Sequence, residues 1–135
     1  MKYKLTDETK NFCGKVLHRI VCVTAFASVA VGDTGGWVES EKNLSQSGYA
    51  WVYGNACVYG DAEVSKSSDY AVYKNTWSSM RYFTWTRSND KWHVGCFFGT
   101  GEELIEKAYK DSKLSGDCYK AVVDMRKKLT ELESA

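Results

Sequence analysis

The sequence predicts a single α+β domain over residues 1–135, in which a β-rich part, residues 1–98, precedes a helical part, residues 99–135. Three observations predict this fold class. Residues 38–64 carry a six-residue repeat of small and β-branched residues, the following segment alternates like a pair of strands, and two amphipathic helical segments close the chain. A length of 135 residues suits one domain.

The charge balance excludes some partners. Lysine and arginine total 18 and aspartate and glutamate total 17, whereas proteins that bind duplex nucleic acid usually carry a basic excess. A small anionic ligand needs only two or three well-placed cations, so it remains compatible with this balance. Two isolated histidines and scattered cysteines give no zinc-binding spacing, and no metal site is expected.

The cysteines predict a cellular compartment. There are five, an odd number, and no C-x-x-C motif joins any two of them. Such a set is typical of reduced, mostly buried thiols in a cytosolic protein. The cysteines concerned are Cys13, Cys22, Cys57, Cys96 and Cys118.

Residues 1–31 predict two or three strands, because β-branched residues cluster in this segment. Residues 20–31 also resemble the apolar core of a signal peptide, but Asp7 and Glu8 precede them where a signal peptide carries basic residues. The run is also shorter than the about 20 residues that cross a bilayer. We therefore expect buried strands and no membrane segment.

The repeat permits two architectures. In a parallel β-solenoid each hexad forms one side of a coil, whereas in an antiparallel sheet its Gly-Asn and Gly-Asp pairs form hairpin turns. The continuous register favours the solenoid, with Tyr53 and Tyr59 pointing outward. The hexads make fewer than two coils, so the rest of the chain or another subunit must cover them, which favours a homo-oligomer. The register positions are Val38, Leu44, Ala50, Ala56 and Ala62, followed two residues later by Val52, Val58 and Val64.

A polar stretch, residues 66–75, follows the repeat and is predicted to be mobile. A hairpin comes next, with strands over residues 80–87 and 91–98 joined by a turn at 88–90. The first helix begins at a capping box, Thr-Gly-Glu-Glu at residues 100–103.

A second helix is predicted from about Gly116, with Ser115 as its N-cap, after a break in the segment "SKLSGD".

One face of the first hairpin strand is the leading candidate for ligand binding. Alternation places Arg81, Phe83, Trp85 and Arg87 together. Aromatic rings can stack on a base and guanidinium groups can hold phosphates. Alternatively, Phe83 and Trp85 belong to the core and the arginines frame its rim. The opposite face, Tyr82 with two threonines, is predicted to face solvent.

The turn before the first helix is a second candidate. Gly99, Thr100 and Gly101 could present free backbone N–H groups to a phosphate at the start of the helix. Alternatively, Thr100 and Glu103 already occupy those donors, as in an ordinary capped turn. His93 is either a ligand contact or a structural histidine.

Two longer stretches resemble a known family. "GDTGGWVESEKNLSQSG" followed by "AWVYGNACVYGDAEV" resembles small proteins encoded by bacteriophages and prophages, and "WHVGCFFGTGEELIEKA" resembles the module that often closes those chains. The match covers residues 32–64 and 91–108. The chain has few hexads and a degenerate one at residues 66–75, so a long stacked fibre is not expected.

In its β-rich front and helical end, the chain is also similar to the Thoeris anti-defence proteins of phages, which act as nucleotide sponges. This resemblance implies a phage counter-defence protein that binds a nucleotide-derived immune signal without cleaving it. The signal would be a cyclic ADP-ribose isomer or a cyclic oligonucleotide, and the protein a homo-oligomer.

The sequence permits two functions other than that of a nucleotide sponge. The alternative is an oligomeric structural or interaction protein that inhibits a host protein by direct binding. Hexad solenoids also occur in acyltransferases that use a histidine as base, but neither histidine of this chain lies in the hexads. We therefore expect no enzyme, no catalytic residue and no cofactor.

Overall fold

The computed structural model describes residues 1–134 and confirms the α+β class, with eight strands in two four-stranded sheets followed by two helices. Neighbouring strands pair in chain order within each sheet. In the first sheet β1 and β2, and β2 and β3, pair antiparallel, whereas β3 and β4 pair parallel. The strands of this sheet are β1 (Tyr3–Phe12), β2 (Lys15–Cys22), β3 (Thr34–Val38) and β4 (Cys57–Val58).

The hexads stack in parallel, so the solenoid alternative describes them and the hairpin alternative does not. Val38 lies opposite Val58 in a parallel ladder, and Leu44 forms a parallel bridge with Val64. All eight register positions are buried and belong to one hydrophobic core. This stacked pair of chain segments, residues 36–45 on residues 52–64, is called the coil below.

Two adjacent glycines let the layers of the coil approach closely. A Cβ atom at Gly35 would lie 2.6 Å from the carbonyl oxygen of Val52, and one at Gly36 would lie 2.8 Å from that of Ala56. The N–H of Gly36 donates to the same Val52 carbonyl at 2.7 Å. Any side chain at either glycine would therefore separate the two layers.

The prediction of buried strands over residues 20–31 is wrong beyond Cys22, where β2 ends. The chain then turns back through a short bridge between Phe26 and Val29, and Val31 is exposed. Hydrogen bonds between Cys22 and the segment at Gly32 and Asp33 close this loop. The apolar segment after Cys22 therefore forms a loop that brings the chain back beside β2, where β3 begins.

The second sheet is entirely antiparallel and corrects two predictions. Residues 66–75, predicted to be mobile, contain an ordered strand. Each residue from Tyr70 to Lys74 pairs with one residue of β6. The strand predicted over residues 91–98 is two strands, because the chain reverses at Gly95, whose φ is 55°. The strands are β5 (Tyr70–Lys74), β6 (Tyr82–Thr86), β7 (Lys91–Val94) and β8 (Phe97–Gly99).

The two helices cover one face of the second sheet. They are α1 (Gly101–Asp111) and α2 (Lys113–Glu133), and α2 begins earlier than predicted because Ser112, not Ser115, is its N-cap. The helices and the sheet share a core that includes Phe83, a residue of β6. None of the helices within residues 1–134 is long and apolar enough to cross a membrane.

The other face of the second sheet packs on the coil. The backbone N–H of Cys57 donates to Thr84 Oγ1 at 3.1 Å, and the rings of Tyr59 and His93 lie 4.2 Å apart between centroids. Two predictions are therefore wrong in part. On the face of β6 predicted to meet solvent, Tyr82 is exposed but Thr84 and Thr86 are buried. Tyr59, although outward from the coil, is buried under the second sheet, whereas Tyr53 is exposed.

A disulfide also joins the sheets and corrects the expectation that every cysteine is a free thiol. Cys13, in the turn after β1, is bonded to Cys96, in the turn after β7, with a Cα–Cα distance of 5.3 Å. Sequence spacing missed this pair because 83 positions separate them. Cys22, Cys57 and Cys118 are free thiols.

Candidate functional site

A cavity of about 380 Å³ lies at the junction of the two sheets and α2. This is within the size range of small-ligand pockets. Its buried floor includes Phe83, Thr84 and His93, and its exposed mouth includes Asn55 and Arg81. We call it the intersheet cavity. The remaining lining residues are Lys10, Phe12, Cys57, Asn75, Ser79, Tyr82, Val94, Gly95 and Tyr119.

The intersheet cavity has a cationic lining. Lys10 and Arg81 are its charged residues, and no aspartate or glutamate of the described chain lines it. Arg81 also forms no salt bridge with residues 1–134. Since acidic and basic residues nearly balance over the whole chain, this local excess of positive charge favours an anionic ligand.

Aromatic rings form much of the remaining wall. Phe12 enters from the first sheet, Tyr82 and Phe83 from β6, and Tyr119 from α2. The Tyr119 hydroxyl accepts a hydrogen bond from Asn75 Nδ2 at 3.1 Å, which fixes the ring. Such rings offer flat apolar surfaces on which a base can stack.

His93 is the most unusual polar group of the floor. Its ring is buried between Tyr59 and Phe98, with centroids at 4.2 and 4.9 Å. Burial lowers the pKa of His93 to about 4, because the charged form loses its hydration. The Nε2 atom lies 3.3 Å from Thr86 Oγ1, whereas Nδ1 has no hydrogen-bond partner within residues 1–134.

Cys57 brings a thiol to the same cavity. Burial raises the pKa of this thiol, although nearby Lys10 opposes the shift. A raised pKa keeps the sulfur protonated at neutral pH, and a thiol is a far weaker nucleophile than a thiolate. The cavity therefore offers a neutral thiol and a neutral imidazole rather than an activated pair.

Of the four residues of the arginine-aromatic face predicted on β6, two line the intersheet cavity and two do not. Arg81 and Phe83 line the intersheet cavity together with His93. Trp85 is buried in the helix-facing core, and its indole donates to Asp90 Oδ1 at 2.9 Å. Arg87 points away from the cavity and is held at 2.5 Å by Glu133.

The predicted glycine turn lies outside the intersheet cavity, and its geometry matches the ordinary capped turn. Thr100 Oγ1 accepts from the N–H of Glu103, and the Glu103 carboxylate accepts from the N–H of Thr100. A Cβ at Gly99 would lie 2.8 Å from the Phe97 ring, and one at Gly101 would lie 2.6 Å from Val123. Both glycines are therefore explained by close packing.

Sequence reasoning missed the half of the cavity wall that comes from elsewhere in the chain. Lys10 lies on β1, Asn55 and Cys57 belong to the hexads, and Tyr119 belongs to α2. None of these residues stands in a local pattern that marks a site, and only the folded chain brings them together. Within residues 1–134 no cluster of three or more potential ligands could hold a metal ion.

Comparison with known proteins gives a partial match. No family model matches the chain. The uncharacterized acetyltransferase YdcK of Escherichia coli (strain K12) is 33% identical over an alignment of 73 positions, which covers 47% of this chain and 22% of that protein. The chain therefore covers about one fifth of the length of the curated relative that it matches.

Proposed function

We propose that the protein binds a small anionic ligand of nucleotide type in the intersheet cavity and holds it without cleaving it. The observation that carries this proposal is the lining itself, with Lys10 and Arg81 as cations, aromatic walls and no carboxylate within the described chain. Guanidinium and ammonium groups bind phosphate oxygens, and aromatic rings stack on bases.

The arrangement of the lining suggests an orientation for the ligand. Arg81 is exposed and Lys10 half-buried, whereas Phe83 and His93 are buried. A ligand with its phosphate at the mouth and its base on the floor keeps the charged group near water, where its desolvation costs least.

The biological role is proposed from the resemblance to phage sponge proteins. On this proposal the ligand is a nucleotide-derived immune signal, either a cyclic ADP-ribose isomer or a cyclic oligonucleotide. The protein would sequester it in the host cytoplasm as a homo-oligomer. This placement rests on the resemblance alone, because the Cys13–Cys96 bond removes the argument from reduced cysteines. Tight binding without turnover suffices for this role.

Acyl transfer is a second candidate, because the partial relative is named an acetyltransferase. The chemistry of the cavity favours binding instead. A histidine whose pKa lies at about 4 is a weak base near neutral pH, and the pKa of the Cys57 thiol is raised rather than lowered.

Direct inhibition of a host protein is a third candidate, favoured by an apolar stripe on α2. Met125, Leu129 and Leu132 are exposed by 45%, 37% and 59% at helical spacing. If a protein partner binds this stripe, a substitution of Leu129 should abolish that binding, whereas a substitution of Arg81 should leave it unchanged.

Titration calorimetry with cyclic ADP-ribose isomers and cyclic dinucleotides tests the proposal, followed by heating and chromatography of the released ligand. We expect binding of at least one of them, recovery of that ligand intact, and weakening by about tenfold or more in Lys10→Ala and Arg81→Ala. Lys4→Ala, an exposed lysine on the same strand as Lys10, is the matched control. Binding that survives the Lys10→Ala/Arg81→Ala double variant, or no binding at all, contradicts the proposal.

A further inference from the structure

Asn75 is a buried polar residue in the wall of the intersheet cavity. It is 4% exposed and directly follows β5. The segment that it begins, residues 75–81, leads to β6 and is called the cavity loop below. Ser79 and Arg81 of this loop also line the cavity. A buried asparagine therefore lies where the chain leaves β5 to build part of the candidate site.

The side-chain amide of Asn75 forms hydrogen bonds in two directions. Its Oδ1 accepts from the backbone N–H groups of Trp77 at 3.2 Å and Ser78 at 2.9 Å, and from the Ser78 hydroxyl at 3.2 Å. Its Nδ2 donates to the Tyr119 hydroxyl on α2 at 3.1 Å. Because backbone N–H groups only donate, the amide oxygen must face the cavity loop and the amide nitrogen must face α2.

The backbone of Asn75 holds the other end of the cavity loop. Its N–H donates to the carbonyl oxygen of Arg81 at 2.8 Å, which closes the loop just before β6. The Trp77 ring packs edge-on against Tyr119, with 4.8 Å between centroids. The loop is thus closed at its two ends and tied to α2 by the Asn75 amide and the Trp77 ring.

Arg81 depends on the cavity loop for its position. It forms no salt bridge with residues 1–134. Met80, the preceding residue, has a φ of 58°, which a residue other than glycine keeps only where its surroundings hold it. The direction in which Arg81 leaves the backbone is therefore set by the bonds of the loop.

We propose that Asn75 is a positioning residue of the intersheet cavity and acts through Arg81, by holding the cavity loop in the shape that places this cation at the mouth. The inference rests on the proposed function, because it assumes an anionic ligand at Arg81. A loop that is already ordered spares the ligand the entropy cost of ordering it, so binding is tighter.

Backbone nitrogen-15 relaxation of the ligand-free protein tests the first step. We expect an order parameter of about 0.85 at Arg81 in the wild type and below about 0.6 in Asn75→Ala, because two N–H groups of the loop lose their acceptor. Asn75→Ser should lie between the two, since a hydroxyl accepts from a turn N–H more weakly than an amide does.

Asn89→Ala is the matched control for this measurement. Asn89 lies in the turn at the other end of β6, and its amide also bridges two parts of the chain, Asp61 and Thr86. It does not line the intersheet cavity. We expect the order parameter of Arg81 to stay unchanged in this variant.

A double-mutant cycle tests the second step. Calorimetry with the cyclic ADP-ribose isomers and cyclic dinucleotides named above compares the wild type, Asn75→Ala, Arg81→Ala and the double variant. We expect Asn75→Ala to weaken binding about fivefold in the wild type and less than about twofold when Arg81 is already replaced. A direct contact between Asn75 and the ligand, or a general loss of structure, would weaken binding by the same factor in both backgrounds.

Tyr119→Phe is a milder change that acts in the same direction. It keeps the ring in the cavity wall and removes only the hydroxyl that accepts from Asn75 Nδ2. We expect a smaller loss of order at Arg81 than in Asn75→Ala. Melting curves show that each variant is folded.

The outcomes separate this inference from the proposed function. An Arg81 that stays ordered in Asn75→Ala, or equal weakening in both backgrounds, overturns the inference and leaves the proposed function intact. If none of the nucleotides binds the wild type, the proposed function is wrong and the inference is overturned with it.

Discussion

Cys13 and Cys96 tie together the tips of two hairpins that belong to different sheets. Their neighbours Phe12 and Gly95 line the intersheet cavity, so the disulfide closes one end of the site. The bond spans 83 positions of sequence and thus constrains most of the chain when it is unfolded.

Loss of this bond should destabilise the protein strongly. For a closed loop of this length the reduction in unfolded-chain entropy corresponds to about 4.5 kcal/mol. We expect Cys13→Ser/Cys96→Ser to lower the free energy of unfolding in urea by about that amount, and a reducing agent to do the same to the wild type. Cys118→Ser, which changes a free and partly exposed thiol, is the control and should change little. Detection of five reactive thiols in the untreated, unfolded protein would contradict the bond.

His93 should make stability depend on pH. Its pKa lies at about 4 in the folded protein, against about 6.5 in an unfolded chain. Between these values the unfolded chain binds a proton that the folded protein does not, so the free energy of unfolding falls as the pH drops through this window. The full loss is about 3 kcal/mol and is complete near pH 4.

The measurement compares urea unfolding at pH 7 and pH 4.5 in the wild type and in His93→Phe. Besides burial, Asp61 opposes the lowered pKa of His93 and Lys15 adds to it, so both charges act on this ring. The variant cannot take up the proton at position 93 and should lose less stability than the wild type. Equal losses in the two proteins would show that His93 does not titrate in this window.

Glu133 should anchor the end of α2. Its carboxylate holds both Arg87 and Arg126, and the Arg126 guanidinium lies 4.4 Å from the centroid of the Trp85 ring. Since Glu133 is exposed, water screens these pairs, and we expect Glu133→Gln to cost only a small part of the protein's stability. Glu131→Gln breaks the exposed pair with Lys128 and should cost less than half as much. Thermal unfolding of the two variants in parallel checks the ranking.

Gly101 should matter for stability and not for binding. A methyl group there would lie 2.6 Å from Val123 Cγ1, so Gly101→Ala should push α1 and α2 apart at a cost of about 1–3 kcal/mol. The Kd of a ligand in the intersheet cavity should stay unchanged, because this glycine does not line it. If Gly101→Ala folds but no longer binds the ligand, this prediction is wrong and the glycine turn is part of the ligand site.

Features that depend on short-range patterns could be predicted from the sequence. The hexad register identified the buried positions of the coil, because each position is six residues from the next, and the capping box located the start of α1 within one residue. β5 was missed because polar residues flank its short centre on both sides, and only pairing with β6 orders it.

The sequence pointed to residues of the cavity only where one hairpin supplies them. Arg81, Phe83 and His93 were found, because alternation along a hairpin is visible in the sequence. Lys10 and Tyr119 were not, since 109 positions separate them and no pattern relates β1 to α2 before folding. Trp85 and Arg87 lie on the predicted face but away from the cavity, because alternation places residues on a face without showing what covers each part of it.

The two sheets meet through side chains of the second sheet, as where Thr84 accepts from the backbone N–H of Cys57 and His93 packs on Tyr59, while the ladder hydrogen bonds stay within each sheet. Residues at this junction can therefore be exchanged without breaking strand pairing. On the proposed function, single substitutions at the junction would change which ligand is bound while both sheets keep their strand pairing.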